Sequence, residues 1–191
     1  RVRGTDGVGN VGMPASHAFS LIFGWRSVAM VDTGVCAVAG DRSLYCWGRD
    51  NAGTLGQGPP MMMGAESPNP SSPRPIRVGT DSDWDRIVSG QRFFCARKTS
   101  GATSCWGDNS RGLFGDPMPP RTATYTPTPV AHRFSQLAAS QDSACGLDDM
   151  GALFCWGEGE FGVLGDGSLL PHALASPQGV GAAAWQSRGV G

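Results

Sequence analysis

The chain has 191 residues and a formal net charge of −1 at pH 7, with acidic and basic residues interspersed along it. This balance argues against a binding surface for nucleic acid, and the lack of any run of about 18 apolar residues argues against membrane insertion in this segment. The 29 glycines and 14 prolines stand between short apolar segments, a distribution typical of an all-β protein with many tight turns.

One pattern recurs three times in register along the chain. It consists of an aromatic residue, ten residues, a cysteine, nine residues and Cys-Trp-Gly, and it is followed by Gly-x-Leu/Phe-Gly. The three copies start at Trp25, Trp84 and Phe134, so the intervals between them are 59 and 50 residues. Fixed internal spacing of this kind indicates a repeated supersecondary unit.

The repeat divides the chain into five segments. We expect the end of a preceding repeat at 1–24, three repeats at 25–83, 84–133 and 134–184, and the start of a further repeat at 185–191. The repeat at 25–83 carries a long loop at 57–75. Because repeat units bury their apolar faces against neighbours, we expect the remaining units to come from the same chain or from other copies of it.

Each unit is predicted to contain an opening strand, a β-hairpin and a further short strand. In the second unit the opening strand is placed at 84–90 and the hairpin strands at 93–97 and 102–106, with Gly101 closing a three-residue turn in the left-handed conformation. The third unit repeats this turn, but the first has Arg42 at its tip, so either Arg42 is strained or the loop differs slightly. A short strand is expected at each Gly-x-apolar-Gly segment.

This hairpin register brings the two cysteines of each unit opposite one another on adjacent strands. Facing Cβ atoms there lie about 4.5–5.5 Å apart, which a small adjustment brings to disulfide geometry. The predicted pairs are Cys36–Cys46, Cys95–Cys105 and Cys145–Cys155. Paired cysteines favour an extracellular or cell-surface protein. The alternative is six reduced, buried cysteines in a cytoplasmic or nuclear protein, whereas isolated pairs at this spacing do not suit zinc.

The repeated aromatic residues are predicted to pack one unit against the next. The tryptophan of each Cys-Trp-Gly segment adjoins a cysteine in a strand, so the two side chains must point to opposite faces of the sheet. Aromatic residues at identical offsets fill equivalent spaces, which a stacked or radial array provides. The predicted packing residues are Trp25, Trp47, Trp84, Trp106, Phe134 and Trp156.

No catalytic constellation, cofactor motif or metal site is visible in the sequence. The three histidines occupy unrelated positions with no repeated partner, at His17, His132 and His172. The segment Asp81-Ser-Asp-Trp-Asp85 lacks the glycine and the distal glutamate of a calcium-binding loop, and we interpret it as a solvated turn. The chain is therefore predicted not to be an enzyme and to need no cofactor.

The stretch that follows each Gly-x-Leu/Phe-Gly segment varies most between units. Its longest copy contains Met61, Met62 and Met63, which are flexible apolar side chains suited to an adaptable contact. Insertions in repeat proteins often project from the binding face, so these residues are candidate contacts for another protein of unknown identity. The alternative is a tolerated surface insertion.

Several of these segments resemble the regulator-of-chromosome-condensation (RCC1) repeat family. The matching segments are Cys36-Ala-Val38, Leu44-Tyr-Cys-Trp-Gly48, Pro75-Ile-Arg-Val78, Asp108-Asn109, Pro129-Val130 and Leu164-Gly-Asp-Gly167. The resemblance implies an all-β fold, a seven-bladed β-propeller with four-stranded blades around a central channel, of which this chain would supply about three blades. The cysteine-paired form is similar to secreted or cell-surface bacterial repeat proteins and to crinkly-type receptor-kinase ectodomains.

These observations favour a non-catalytic propeller that recognises a protein or another ligand, in an extracytoplasmic protein of which this chain is a part. One alternative is a regulatory propeller of a receptor kinase or another enzyme whose catalytic domain lies outside this sequence. Another is a guanine nucleotide exchange factor for a small GTPase, the activity of the nuclear family member. Fold does not decide between them.

Overall fold

The computed structural model describes residues 24–59, 71–110, 113–114, 123–167, 169–170 and 178–179. Its strands form three separate four-stranded antiparallel sheets, one for each repeat. In each sheet the strands lie side by side in the order in which they occur along the chain. Within the described residues, no helix is long and apolar enough to span a membrane.

The strand boundaries repeat from sheet to sheet. The first sheet contains β1 (Trp25–Val31), β2 (Gly34–Ala39), β3 (Leu44–Arg49) and β4 (Ser71–Arg77). The second contains β5 (Trp84–Ser89), β6 (Phe93–Lys98), β7 (Ala102–Gly107) and β8 (Thr124–Arg133). The third contains β9 (Gln136–Ser140), β10 (Ser143–Leu147), β11 (Leu153–Gly157) and β12 (Gln178–Gly179).

The central hairpin of each sheet has the predicted register and turn. Each cysteine pair is directly opposite across the hairpin. Gly101 and Gly151 close their turns at φ of 83° and 82°, and Arg42 adopts φ of 65° at the tip of the first hairpin. A side chain in this region costs about 1–2 kcal/mol, so contacts of Arg42 must offset that strain.

The first and third Gly-x-apolar-Gly segments, which the structure describes in full, form turns, and the prediction of strands there was wrong. The first closes with a hydrogen bond from Gly56 N–H to the Gly53 carbonyl oxygen at 3.0 Å, and both glycines have positive φ, which an extended strand does not allow. In the first and second sheets the fourth strand is instead a proline-containing segment, β4 or β8, and β4 begins at Ser71, inside the span assigned to a loop. Proline is tolerated there because the fourth strand lies at the edge of its sheet.

Two buried cores join the three sheets. The first core, between the first and second sheets, includes the Cys36–Cys46 disulfide and Trp106. The second core, between the second and third sheets, includes the Cys95–Cys105 disulfide and Trp156. Each core therefore combines the disulfide of one sheet with the Cys-Trp-Gly tryptophan of the next.

The opening strands of neighbouring sheets also contact one another. Ile87 N–H donates to the Ser27 hydroxyl at 3.1 Å, and the Ser89 hydroxyl donates to the Met30 carbonyl oxygen at 2.6 Å. Trp84 N–H donates to the Arg42 carbonyl oxygen at 3.1 Å, so a hairpin tip reaches the start of the next opening strand. We call this end of the sheets, where hairpin tips and opening-strand starts meet, the hairpin end.

The opposite end, which we call the glycine end, is formed by the three Cys-Trp-Gly glycines and the turns between the first and second strands. A Cβ atom on Gly48, Gly107 or Gly157 would lie 2.3–2.6 Å from a carbonyl oxygen of such a turn. All three glycines have φ between 105° and 111°. Glycine is therefore required at this end for both space and backbone conformation.

A candidate binding cavity at the hairpin end

All six cysteines form disulfides in the pairing that the hairpin register predicts. Five of them are buried, and Cys145 is partly exposed on the third sheet. That sheet has an apolar cavity of about 340 Å³ beside the disulfide, lined by Leu137, Leu147 and Leu153 among others. Trp106 and Trp156 pack near the corresponding disulfides of the first and second sheets.

Four of the six predicted packing aromatics are fully or almost fully buried between sheets: Trp84, Trp106, Phe134 and Trp156. Trp106 also donates its indole N–H to the Thr54 carbonyl oxygen of the first sheet at 3.0 Å. Trp25 differs, since it is 48% exposed and contacts the rings of Tyr45 and Trp47. Trp25 and Trp47 belong to the first sheet, which has no neighbour on that face within the described part of the chain.

The candidate partner contacts Met61, Met62 and Met63 lie outside the described residues, as do His17 and His172. His132 is on β8 and packs against the aromatic rings of Phe134 and Phe154, with ring centroids 6.1 and 5.2 Å away.

The aspartate-rich segment at the boundary between the first and second units binds a lysine. Lys98 Nζ lies 2.7 Å from the Asp81 carboxylate and 3.0 Å from that of Asp83, over the ring of Trp84. Despite partial burial, the hydrogen bonds and charges of these carboxylates, that of Asp81 foremost, raise the pKa of Lys98. Among the described residues, no three metal-ligating side chains come together.

The second sheet breaks the repeat at its hairpin end. In the first and third sheets, the pair of opposite residues at this position is Ser27 with Val38 and Gln136 with Leu147. In the second sheet it is Arg86 with Arg97. Residues directly opposite in an antiparallel pair project from the same face, and like charges there are destabilising.

A carboxylate neutralises one of these arginines. The ladder is irregular between Trp84 and Arg86, and this local bulge directs Asp85 towards Arg97, which donates to it. Arg42 pairs with the other carboxylate oxygen at 3.3 Å. Although partial burial opposes the effect, the hydrogen bonds and charges of Arg97 and Arg42 hold the pKa of Asp85 below its ordinary value.

The same group of residues connects all three sheets. Arg42 belongs to the hairpin tip of the first sheet, Asp85 and Arg97 to the second, and Arg97 also donates to the backbone carbonyl oxygen of Ser135 at the start of the third. The ion pair with Asp85 also explains how the strained backbone of Arg42 is retained, because it adds to the backbone bond from Trp84.

Beside this group lies a polar cavity of about 590 Å³, the hairpin-end cavity. Its lining includes residues from the opening strands of all three sheets, among them Ser27, Arg86 and Gln136, together with Arg97 and Ser135. None of the described residues that line it is acidic. Arg86 is exposed and makes no ion pair with any residue that the structure describes.

Sequence reasoning missed this cavity, although the sequence contains a signal for it. When the three units are aligned on their cysteines, Arg97 falls where the other units have Val38 and Leu147. The position of Arg42 at the tip of the first hairpin was the only departure from the repeat that sequence reasoning noted at the hairpin end. Its ion pair with Asp85 could not be anticipated, since it joins residues of different units.

The arrangement of the three sheets matches solved structures. Yeast RCC1 (Prp20), solved with Kap60 bound, aligns with a TM-score of 0.67 and 19% identity over 83% of this chain and 37% of that protein. The fold is that of an RCC1-like β-propeller. This RCC1-like chain aligns equally well with Prp20p from Saccharomyces cerevisiae in a second structure (TM-score 0.67, 20% identity, 83% of this chain and 39% of that one).

Human WBSCR16 shows the same fold, with a TM-score of 0.65 and 18% identity over 82% of this chain and 39% of that protein. The RCC1-like chain therefore spans under two fifths of each of these proteins, and its three sheets correspond to propeller blades. No protein-family profile and no curated protein sequence matches it.

Proposed function

We propose that this chain is part of a non-catalytic β-propeller that recognises another protein outside the cytoplasm. The observation that carries the proposal is the hairpin-end cavity, to which three blades contribute and at which the second blade departs from the repeat. Scaffold positions repeat because every blade needs them. Charged residues that occur in one blade only, around an open cavity, are what a recognition site requires.

The ionisation of the nearby side chains supports binding over catalysis. A general acid or base works best with a pKa near the working pH. Here the pKa of Asp85 is lowered and that of Lys98 is raised, so both shifts move away from neutrality. These groups stay charged at physiological pH, which suits a fixed electrostatic surface.

The disulfides support a location outside the cytoplasm. Cross-strand disulfides join the central hairpin of every described blade, and such bonds persist in oxidising compartments. Labelling of the denatured, unreduced protein with a maleimide should detect no free thiol. Six reactive thiols in freshly isolated protein would contradict this location.

The same fold can serve as a protein-binding surface. One structure of Prp20 contains bound Kap60, and the other accompanies a study of the binding of Prp20p to Gsp1p and histones. We infer a protein partner for this chain on the same grounds, without assigning it any of those partners.

Photo-crosslinking tests the proposed partner. A benzoylphenylalanine replaces Gln136, beside the hairpin-end cavity, in the full-length protein in its producing cells. The matched control carries the same group at Gln91, an exposed residue at the glycine end. We expect a discrete protein adduct from Gln136 and none from Gln91. Equal adducts from both positions, or none from either, would contradict a partner at the hairpin end.

A further inference from the structure

We propose that the hairpin-end cavity binds the carboxylate of an aspartate or glutamate side chain presented by the partner protein, with Arg86 as its principal ligand and Arg97 beside it. The inference rests on the proposed function and adds the chemistry of recognition to it. Three observations carry the proposal: the opposed arginines, the unequal neutralisation of the two, and the composition of the cavity.

Arg86 and Arg97 are directly opposite across β5 and β6, and both side chains line the cavity. Two guanidinium groups in this position repel each other, and an uncharged residue in place of Arg86 would remove that repulsion. The equivalent pairs in the other two blades contain no charge at all. An anion between the two arginines turns this unfavourable pair into a favourable site.

The two arginines differ in what already binds them. Arg97 is largely buried and donates to Asp85 and to the Ser135 carbonyl oxygen, so its guanidinium is held in place. Arg86 is exposed and has no ion-pair partner among the described residues. The guanidinium of Arg86, beside the fixed guanidinium of Arg97, therefore has hydrogen-bond donors available for both oxygens of an incoming carboxylate. Arginine is the side chain best suited to bind a carboxylate through two parallel hydrogen bonds.

The rest of the lining fits an acidic side chain on a polypeptide. Gln136 adds an exposed amide beside the arginines, while Val28 and Leu137 supply apolar surface for the methylene groups of the ligand. At about 590 Å³, the cavity is larger than a single carboxylate needs and falls within the range of ligand sites. A protein partner supplies carboxylates on its surface, which favours them over other oxyanions.

The test measures binding of fluorescent hexaglutamate to the intact protein, with hexaglutamine as the uncharged probe. We expect hexaglutamate to bind and hexaglutamine not to bind. Binding of hexaglutamate should weaken as the salt concentration is raised. Arg86→Gln should weaken it by about tenfold, the loss of one charged hydrogen-bonding group. The matched control is Arg49→Gln, which removes the same charge from an exposed position at the glycine end and should change binding less than twofold.

Arg86→Glu separates binding from folding. It should abolish hexaglutamate binding and raise the midpoint of thermal unfolding, because a Glu–Arg pair replaces the opposed arginines. Failure of hexaglutamate to bind the parent protein, or an equal loss from Arg86→Gln and Arg49→Gln, would overturn the proposal. So would inorganic phosphate competing at lower concentration than free glutamate, since the site would then prefer phosphate.

The partner experiment distinguishes the two levels of the proposal. A protein adduct at Gln136 that persists unchanged in Arg86→Glu would overturn the carboxylate site and leave the proposed partner standing. Loss of the adduct in Arg86→Glu, with retention in Arg49→Gln, would support both.

Discussion

The two ends of the second blade differ in how closely they match the other blades. At the glycine end, Gly107 occupies the same backbone geometry as its counterparts in the other blades, and the residue after each glycine donates to the same turn carbonyl at 2.8–2.9 Å. At the hairpin end, Arg86 and Arg97 have no counterpart in either neighbour. The comparison teaches that the repeat is kept where the backbone geometry requires glycine and is interrupted at the end where we propose that a ligand binds.

The largest expected loss of stability comes from a single glycine-to-alanine substitution, which we compare at the two ends of the second blade. A Cβ on Gly107 would lie 2.6 Å from the Arg92 carbonyl oxygen, whereas on Gly101 its nearest neighbour is 3.5 Å away. Both glycines have positive φ. Gly107→Ala should lower the free energy of unfolding by about 3 kcal/mol and Gly101→Ala by about 1 kcal/mol. Urea unfolding measures both, and equal losses would remove the distinction between the two ends.

The second prediction concerns the stability that the central disulfide of the second blade provides. Replacing Cys95 and Cys105 together by alanine removes a buried disulfide and should cost about 2–3 kcal/mol, because the loop that it closes is short. Hexaglutamate affinity of the folded fraction should be unchanged. A large loss of affinity in the folded double variant would show that the scaffold and the cavity are not separable.

A smaller effect on stability is expected from restoring the repeat at the hairpin end. Arg97→Leu places in the second blade the residue that the third has at Leu147. It removes repulsion from Arg86 and the ion pair with Asp85 together, so the free energy of unfolding should change by less than about 1 kcal/mol. Hexaglutamate binding should also weaken, but by no more than in Arg86→Gln, because Arg86 is the principal ligand. Unfolding curves and fluorescence anisotropy test the two statements separately.

The smallest effect is a pH dependence that arises from Asp85. Its pKa is lowered in the folded state from an ordinary value of 3.8, so the native state favours the charged form. The resulting stability is present above that ordinary value and is lost as pH falls below it through the lowered pKa. We expect Asp85→Asn to remove this dependence, of about 1 kcal/mol or less. Wild-type and Asp85→Asn unfolding curves that remain parallel between pH 5 and pH 2 would contradict the assignment.

The sequence predicted the sheets better than the cavity because the two depend on different contacts. Cys95 and Cys105 are ten residues apart, so the hairpin register, and with it the disulfide, follows from local spacing. The fourth strand was missed because prolines at Pro73 and Pro75 argue against a strand unless its place at the sheet edge is known. The Arg42–Asp85 ion pair joins residues 43 positions apart, in different blades, and nothing in the spacing of the repeat specifies it.

The construction of the two cores gives the row of blades a polarity. The second blade presents its tryptophan to the first blade and its disulfide to the third, so both described contacts between blades are head to tail. Such contacts are heterologous, and they extend in one direction until a ring closes. A duplicated blade therefore arrives with a complementary half for each of its two neighbours, which lets the array lengthen by tandem duplication without a new interface.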